Sequence, residues 1–321
     1  MTRARLLKTG SRLLDSLRSE RCTLRLVNTF RRPGVIHVAM FLIEGSFRVI
    51  GAQPDGDSIH FTPADPAKWD LITGPNKVKR NAAGAAQLRL DAIDALETHY
   101  GNPRTHQPLG LAHAAADELL NWLGFSNVVR AQDETVTSSS PDAVSGYVLT
   151  RAADLYGRCI AFVGRGAPPK ADGFAFFVDV DALRTTANHH LIGAGLAYPT
   201  YYRALFADLR REFTAAAKHA RDTGLGVWAS DSTTTGFDVT GPDALQNDIV
   251  IVPKLFRRLV EYLHLGDDSM AGFPAFLDQA GDKFFILSTG HSTTGLDAIV
   301  EVDGNKVKMT RPIEDLVFDE K

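Results

Sequence analysis

The sequence predicts an α+β fold. From residue 35 to residue 93 the texture is that of strands, with short apolar or mixed runs separated by turn residues such as Pro54-Asp55-Gly56. Apolar residues then recur at helical spacing over 110–123 and 203–223. Beyond residue 232, helical and strand patterns alternate again in a strongly acidic setting.

In order along the chain, Leu6, Leu7, Leu13, Leu14 and Leu17 fall near helical spacing among basic residues and read as a solvated, basic N-terminal extension. Residues 35–43 are apolar, 47–52 mixed, and 58–62 follow the Asp55-Gly56 turn. The stretch 63–84 holds Pro63, Pro66, Pro75, Gly74 and Gly84, so it reads as a long loop. Residues 87–93 resume a strand. Leu111, Ala115, Leu119 and Trp122 or Leu123 line one helical face. Residues 128–136 and 147–150 read as strands around a polar loop at 138–145. Residues 159–163 form a further strand, and 164–173, with Pro168 and Pro169, a second loop. A helix is expected over 180–192. Another is marked by Leu205, Leu209, Phe213, Ala217 and Ala220, with Gly224 placed to end it. Residues 230–235 are Ser/Thr-rich and read as a linker. A helix follows Pro253, and strands are expected at 284–287 and 299–309, the latter turned by Asp303-Gly304-Asn305.

The chain has 321 residues, 44% hydrophobic and 23% charged, which allows a sizeable core and argues against wholesale disorder. At roughly 100–200 residues per domain, one large or two ordinary domains fit. Mean hydropathy is -0.10, and the apolar run at 35–43 is too short to span a bilayer. No signal-peptide pattern marks the first 33 residues, and two cysteines, Cys22 and Cys159, form no disulfide framework. A cytoplasmic setting is the expectation. Net charge is -3, which excludes a uniformly basic nucleic-acid binder. The charge is unevenly spread. Residues 1–45 carry nine bases against three acids, whereas 232–321 carry eight against fifteen. Three zones follow: a basic extension (1–45), a central domain (46–231) and an acidic accessory region (232–321).

Four short patterns carry chemistry. Asp55-Gly56-Asp57-Ser58 sets two carboxylates at a turn, where they can face one hard cation. Alone, it is ordinary turn chemistry. Arg89, Asp91, Asp94 and Glu97 run from a strand into the turn after it, so that Asp94 can meet a cation while Glu97 reaches a nearby water. Asp154-Leu155-Tyr156-Gly157-Arg158 is a turn that delivers an arginine to the start of a strand. Gly195-Leu196-Ala197-Tyr198 precedes Tyr201, Tyr202 and the long helix; tyrosines there can stack on a base or fill the core.

Their order, closed by Gly226-Val227-Trp228, resembles the staphylococcal nuclease (thermonuclease) family over residues 46–231. The family reads DGDT, then an arginine-to-TPE segment, then a helix, DxYGR, a GLA-type helix end, and a last helix closing on tryptophan. Arg89, Asp94 and Glu97 keep the family's relative spacing. The resemblance implies a five-stranded Greek-key barrel of the OB type with about three helices. It implies hydrolysis of DNA or RNA with little sequence preference, leaving a 3′-phosphate and a 5′-hydroxyl. By matching position, Asp57, Asp94 and the backbone carbonyl of Ala95 would bind Ca²⁺ or another divalent cation, and Asp55 would support the turn. Arg89 and Arg158 would grip the phosphate. Glu97 would activate or orient water, and Tyr156 and Tyr198 would lie beside the nucleotide.

The chemistry suits those residue types. Two guanidiniums fork onto phosphate oxygens with a fixed geometry that lysine lacks. A cation polarises the phosphate and lowers the pKa of bound water, while a carboxylate holds that water in line. The chain departs from the family in five places. Ser58 stands for threonine, and Ala95-Leu96-Glu97 for TPE, which loosens the turn aiming Glu97. Leu155 replaces a lysine, and the 63–84 and 164–173 loops are long. A non-catalytic binding module on the same scaffold is the alternative. His189-His190 lacks the spacing for one metal, and Gly290-His291-Ser292-Thr293-Thr294-Gly295 misses the GxSxG spacing and reads as a loop. Cys159 reads as core.

Overall fold

The computed structural model describes residues 31–32, 35–36, 39–266 and 269–319. Arg31–Arg32 pairs antiparallel with Val35–Ile36 in a first unit that ends at Ile36, and residues from His37 onward form a second. The helical spacing between Leu6 and Leu17 lies outside the described residues.

Five strands form the centre of the second unit: β1 (Met40–Arg48), β2 (Ser58–Pro63), β3 (Ala86–Leu90), β4 (Ala143–Ala153) and β5 (Cys159–Arg165). They run in the order β1-β2-β3-β5-β4, and β4 pairs back onto β1, so the sheet closes into a barrel. Only the β3–β5 contact is parallel, with Leu88 opposite Cys159. Alternation decides what each strand buries. In β3, Ala86, Leu88 and Leu90 point inward, while Arg89 points out of the barrel. Ile43, Phe47, Phe61, Val148 and Val163 join them inside, each worth about 1.5–3 kcal/mol of burial. Gly45 faces Gly146 where β1 meets β4. A Cβ on Gly45 would lie 2.2 Å from the Thr62 carbonyl oxygen, and one on Gly146 2.6 Å from that of Gly164. The neighbouring strands β2 and β5 can approach this closely only because neither residue has a side chain.

Helices cover the barrel. In α1 (Leu109–Leu123), Ala112, Ala115, Leu119 and Leu123 form the buried stripe, and Gly124 ends the helix at φ 107°. The helix expected over 180–192 is two: Val180–Arg184, then α2 (Ala187–Gly193). Thr186 breaks it, because its hydroxyl accepts from the His189 amide (3.3 Å) as an N-cap. α3 (Ala207–Asp222) buries Leu209, Phe213, Ala217 and Ala220, as its spacing predicts. The polar 138–145 stretch is not a plain loop. Val136–Ser140 pairs with Ser126–Arg130, and β4 begins at Ala143.

The expected linker at 230–235 is a structural joint. Thr233 is buried, its hydroxyl accepts from the Val252 amide (3.0 Å), and its carbonyl accepts from the Met309 amide (2.8 Å). A threonine can meet such bonds from the interior, so composition alone misread it. Beyond lie α4 (Pro253–Leu263) and α5 (Phe273–Ala280). A sheet follows, of β6 (Lys283–Ile286), β7 (His291–Thr294) and β8 (Leu316–Phe318). The expected loop around His291 is therefore strand β7, paired along β6. Tyr201–Tyr202 adds to this sheet, parallel to β8.

Two apolar clusters form. One fills the barrel and the underside of α2 and α3. The other joins Phe256, Leu259, Phe284 and Phe318 to Leu96, Ala112, Tyr198 and Val227. Residues 232–319 thus share a core with the segment that follows β3. Among the described residues no helix is long and apolar enough to cross a membrane.

Candidate functional site

Strand pairing gathers the motifs. Ser58 lies opposite Arg89 in the β2–β3 register, and the Leu90 amide donates to the Asp57 carbonyl (2.8 Å). The Asp55-Gly56-Asp57 turn therefore stands beside the outward face of β3. Asp55 supports it: its Oδ1 accepts from the Asp57 amide (3.3 Å). Gly56 is demanded by close approach, since a Cβ there would lie 2.6 Å from the Cβ atoms of both Ala95 and Ala115.

β3 ends at Leu90, earlier than its apolar pattern suggests. The chain turns at Ala92, a non-glycine residue at φ 69°. Asn188 holds the turn by donating to the Asp91 carbonyl (2.8 Å), and the Thr200 amide donates to the Ala92 carbonyl (2.9 Å). The turn resets the alternation, so Ile93–Ala95 is a new short strand, paired with Ala197–Pro199. Asp94 and Glu97 leave it on the cavity side. The Glu97 amide donates to Gln107 Oε1 (3.2 Å). Arg158 arrives on its own turn. Asp154 Oδ1 accepts from the Tyr156 and Arg158 amides (3.0 and 2.9 Å), and its Oδ2 from Arg158 Nε (2.7 Å).

One cavity of about 1020 Å³ is lined by Asp55, Asp57, Arg89, Asp94, Glu97, Tyr156 and Arg158. Tyr156 stands exposed at its rim, with the Arg158 guanidinium 5.7 Å from its ring centre. Tyr198 is not brought there. Its ring is fully buried against Trp228 at 5.0 Å, and its hydroxyl donates to Asp231 (2.8 Å). Tyr202 lines the cavity instead; Arg89 lies over its ring at 5.1 Å and donates to its hydroxyl (3.2 Å). Tyr201 is buried, and along the strand Tyr202 faces the other way, toward the cavity.

Sequence reading also missed the contribution of α4. Its apolar stripe of Leu255, Phe256, Leu259 and Val260 is buried. The opposite stripe, Lys254, Arg257, Arg258 and Glu261, lines the cavity. Those spacings of three and four were the legible sign. Arg257 is bidentate on Asp94, with Nη1 to Oδ1 at 3.2 Å and Nη2 to Oδ2 at 2.6 Å, and its Nη1 also donates to Glu97 Oε1 at 2.5 Å.

The charges follow from this arrangement. Burial, then Asp55, Asp94 and Glu97 together, push the Asp57 carboxyl well above the usual carboxylate range, against the pull of Arg89. Burial alone would raise Asp94 too, but Arg257 overrides it and holds Asp94 below its ordinary value. Burial lifts Glu97 to about 7, with Asp94 and Asp55 adding to it and Arg257 opposing. For Tyr202, burial is outweighed by Arg89 and Lys254, which lower the phenol.

The expected Ca²⁺ ligands were Asp57, Asp94 and the Ala95 carbonyl. Asp57 forms no ion pair among the described residues, and its Oδ2 accepts only a long bond from the Ala95 amide (3.4 Å). Asp94 differs: both of its oxygens are taken by Arg257. In this arrangement the set does not fit a divalent ion, because a guanidinium already holds one of its two carboxylates.

A second hollow, of about 650 Å³, lies by α2. Its two histidines are engaged: His189 Nε2 meets Glu212 (3.0 Å) and His190 Nε2 meets Glu118 (2.6 Å). Cys159 is fully buried, which pushes its thiol up to about 12.

Comparison with known proteins returns no match, either to a family model or to a curated protein. The resemblance to the staphylococcal nuclease family therefore rests on the sequence motifs alone.

Proposed function

We propose that the chain hydrolyses phosphodiester bonds of DNA or RNA in the cavity lined by Arg89, Glu97 and Arg158. One observation carries the reading. Three segments far apart in sequence, one around Asp57, one from Arg89 to Glu97 and one around Arg158, converge on a single cavity with their charged groups lining it. The five strands close into a barrel in the order β1-β2-β3-β5-β4, and a closed five-stranded barrel supports the OB-type, Greek-key assignment.

In this proposal Arg89 and Arg158 bind the phosphate oxygens. Arg158 is preset, because Asp154 holds Nε while its terminal nitrogens donate no hydrogen bond among the described residues. Arg89 stays protonated: burial opposes its charge, but Tyr202, Asp94 and Asp57 outweigh it. Charge that builds on the phosphate during attack is thus met by two fixed guanidiniums. Glu97 Oε1 is tied to Arg257, which leaves Oε2 to accept from the attacking water. Tyr156 at the rim offers a face for a base. No step is assigned to a metal ion.

Non-catalytic binding of nucleic acid is the second reading, and the hold of Arg257 on Glu97 is what favours it. Release of acid-soluble nucleotides from single-stranded DNA and RNA separates the two. Turnover that Glu97→Gln abolishes supports hydrolysis; binding without turnover supports the second reading.

A further inference from the structure

We propose that Arg257 is a built-in cation of this site, taking the place of a divalent ion at Asp94 and Glu97 and excluding one from them. Three hydrogen bonds carry the idea: Arg257 engages both Asp94 oxygens and one Glu97 oxygen. A planar guanidinium matches a carboxylate in this bidentate way, and the bonds are charge-assisted. A divalent ion seeking Asp94 would have to displace them and would stand next to a fixed positive charge. Lys254, one turn before Arg257 on the same face of α4, adds to that repulsion.

The contact is built to stay. The segment carrying Glu97 and the segment carrying Arg257 are tied at points that do not involve Arg257 itself. Gln107 accepts from the Glu97 amide and donates to the Ile251 carbonyl (2.8 Å), just ahead of α4. The Tyr100 hydroxyl donates to Glu261 (2.7 Å), one turn after Arg257. Leu96 packs in the same apolar cluster as Phe256 and Leu259. Arg257 is therefore a positioning residue that fixes Glu97 and balances Asp94, and it would do so whether or not the site cleaves nucleic acid.

The test is Ca²⁺ binding to the full chain, by titration calorimetry, with cleavage assayed separately on the same samples. The wild type shows no saturable binding that depends on Asp94. Arg257→Gln gains saturable Ca²⁺ binding, at least ~10-fold tighter than wild type, and adding Asp94→Asn removes the gain. Arg257→Lys, which keeps the charge but loses the fork, falls between. Folding of each variant is checked by circular dichroism. Saturable binding to the wild type that Asp94→Asn abolishes overturns the proposal, and this arm needs no change at Arg257. A folded Arg257→Gln chain that binds Ca²⁺ no better than wild type overturns it as well.

Discussion

Arg89 and Arg158 reach the same cavity by different means. One projects from a strand face, stacked on Tyr202, and the other from a turn held by Asp154. If both hold the phosphate, Arg89→Ala and Arg158→Ala each lower the cleavage rate by at least ~100-fold, the usual cost of losing a preorganised charge stabiliser. Unchanged rates in either variant contradict its role. Glu97 gives a pH signature. Its carboxyl is lifted to about 7, so it is protonated below that pH and ionised above it. As acceptor for the attacking water it must be ionised, and kcat/KM is expected to rise with pH through about 7. Arg257 opposes the lift, so Arg257→Gln moves the midpoint higher. A pH–rate profile flat between pH 5 and 9 contradicts this. Arg89, Asp94 and Glu97 were legible in the sequence because their spacing stays local to one strand end. Tyr198 was not. Which tyrosine meets the cavity depends on the pairing of Ala197–Pro199 with Ile93–Ala95 and of Tyr201–Tyr202 with β8, and these partners lie far away in sequence.

Among the elements, α4 has two faces with separate tasks. Its apolar face anchors the second cluster, and its basic face completes the cavity. Phe256 is fully buried, so Phe256→Ala costs about 3–5 kcal/mol of stability, read by chemical denaturation. A cost below about 1 kcal/mol would mean that α4 is not anchored as described. The helices were read well where one apolar stripe ran without interruption, as in α1 and α3. They were read poorly where a side chain competes with the backbone, as Thr186 does between Val180–Arg184 and α2. Residues 290–295 were read as a loop because Ser, Thr and Gly dominate them. An exposed edge strand tolerates that composition, and only the partner strand β6 reveals it.

At the scale of the whole molecule, charge and packing divide the chain differently. Composition separates an acidic 232–321 from the centre, yet the second cluster draws on both sides of residue 231. Tyr198, Val227 and Leu96 lie in it with Phe256 and Phe318. The full chain is therefore expected to unfold in one cooperative calorimetric transition, and a chain ending at residue 231 to expose that cluster and lose cooperative unfolding. Two separated transitions in the full chain, or a stable shorter chain, contradict a shared core. Sequence could not show this, because a shared core is a property of contacts between distant segments. The closed barrel was legible only in outline, through strand texture and the resemblance that ordered it. The most direct test is release of acid-soluble nucleotides from single-stranded DNA and RNA by the folded full chain, with Ca²⁺ and with a chelator, beside Glu97→Gln and Arg158→Ala. The expected result is cleavage of at least one nucleic acid, reduced at least ~100-fold in both variants. No cleavage of either under any condition, or equal cleavage by the variants, would contradict a phosphodiesterase site in this cavity.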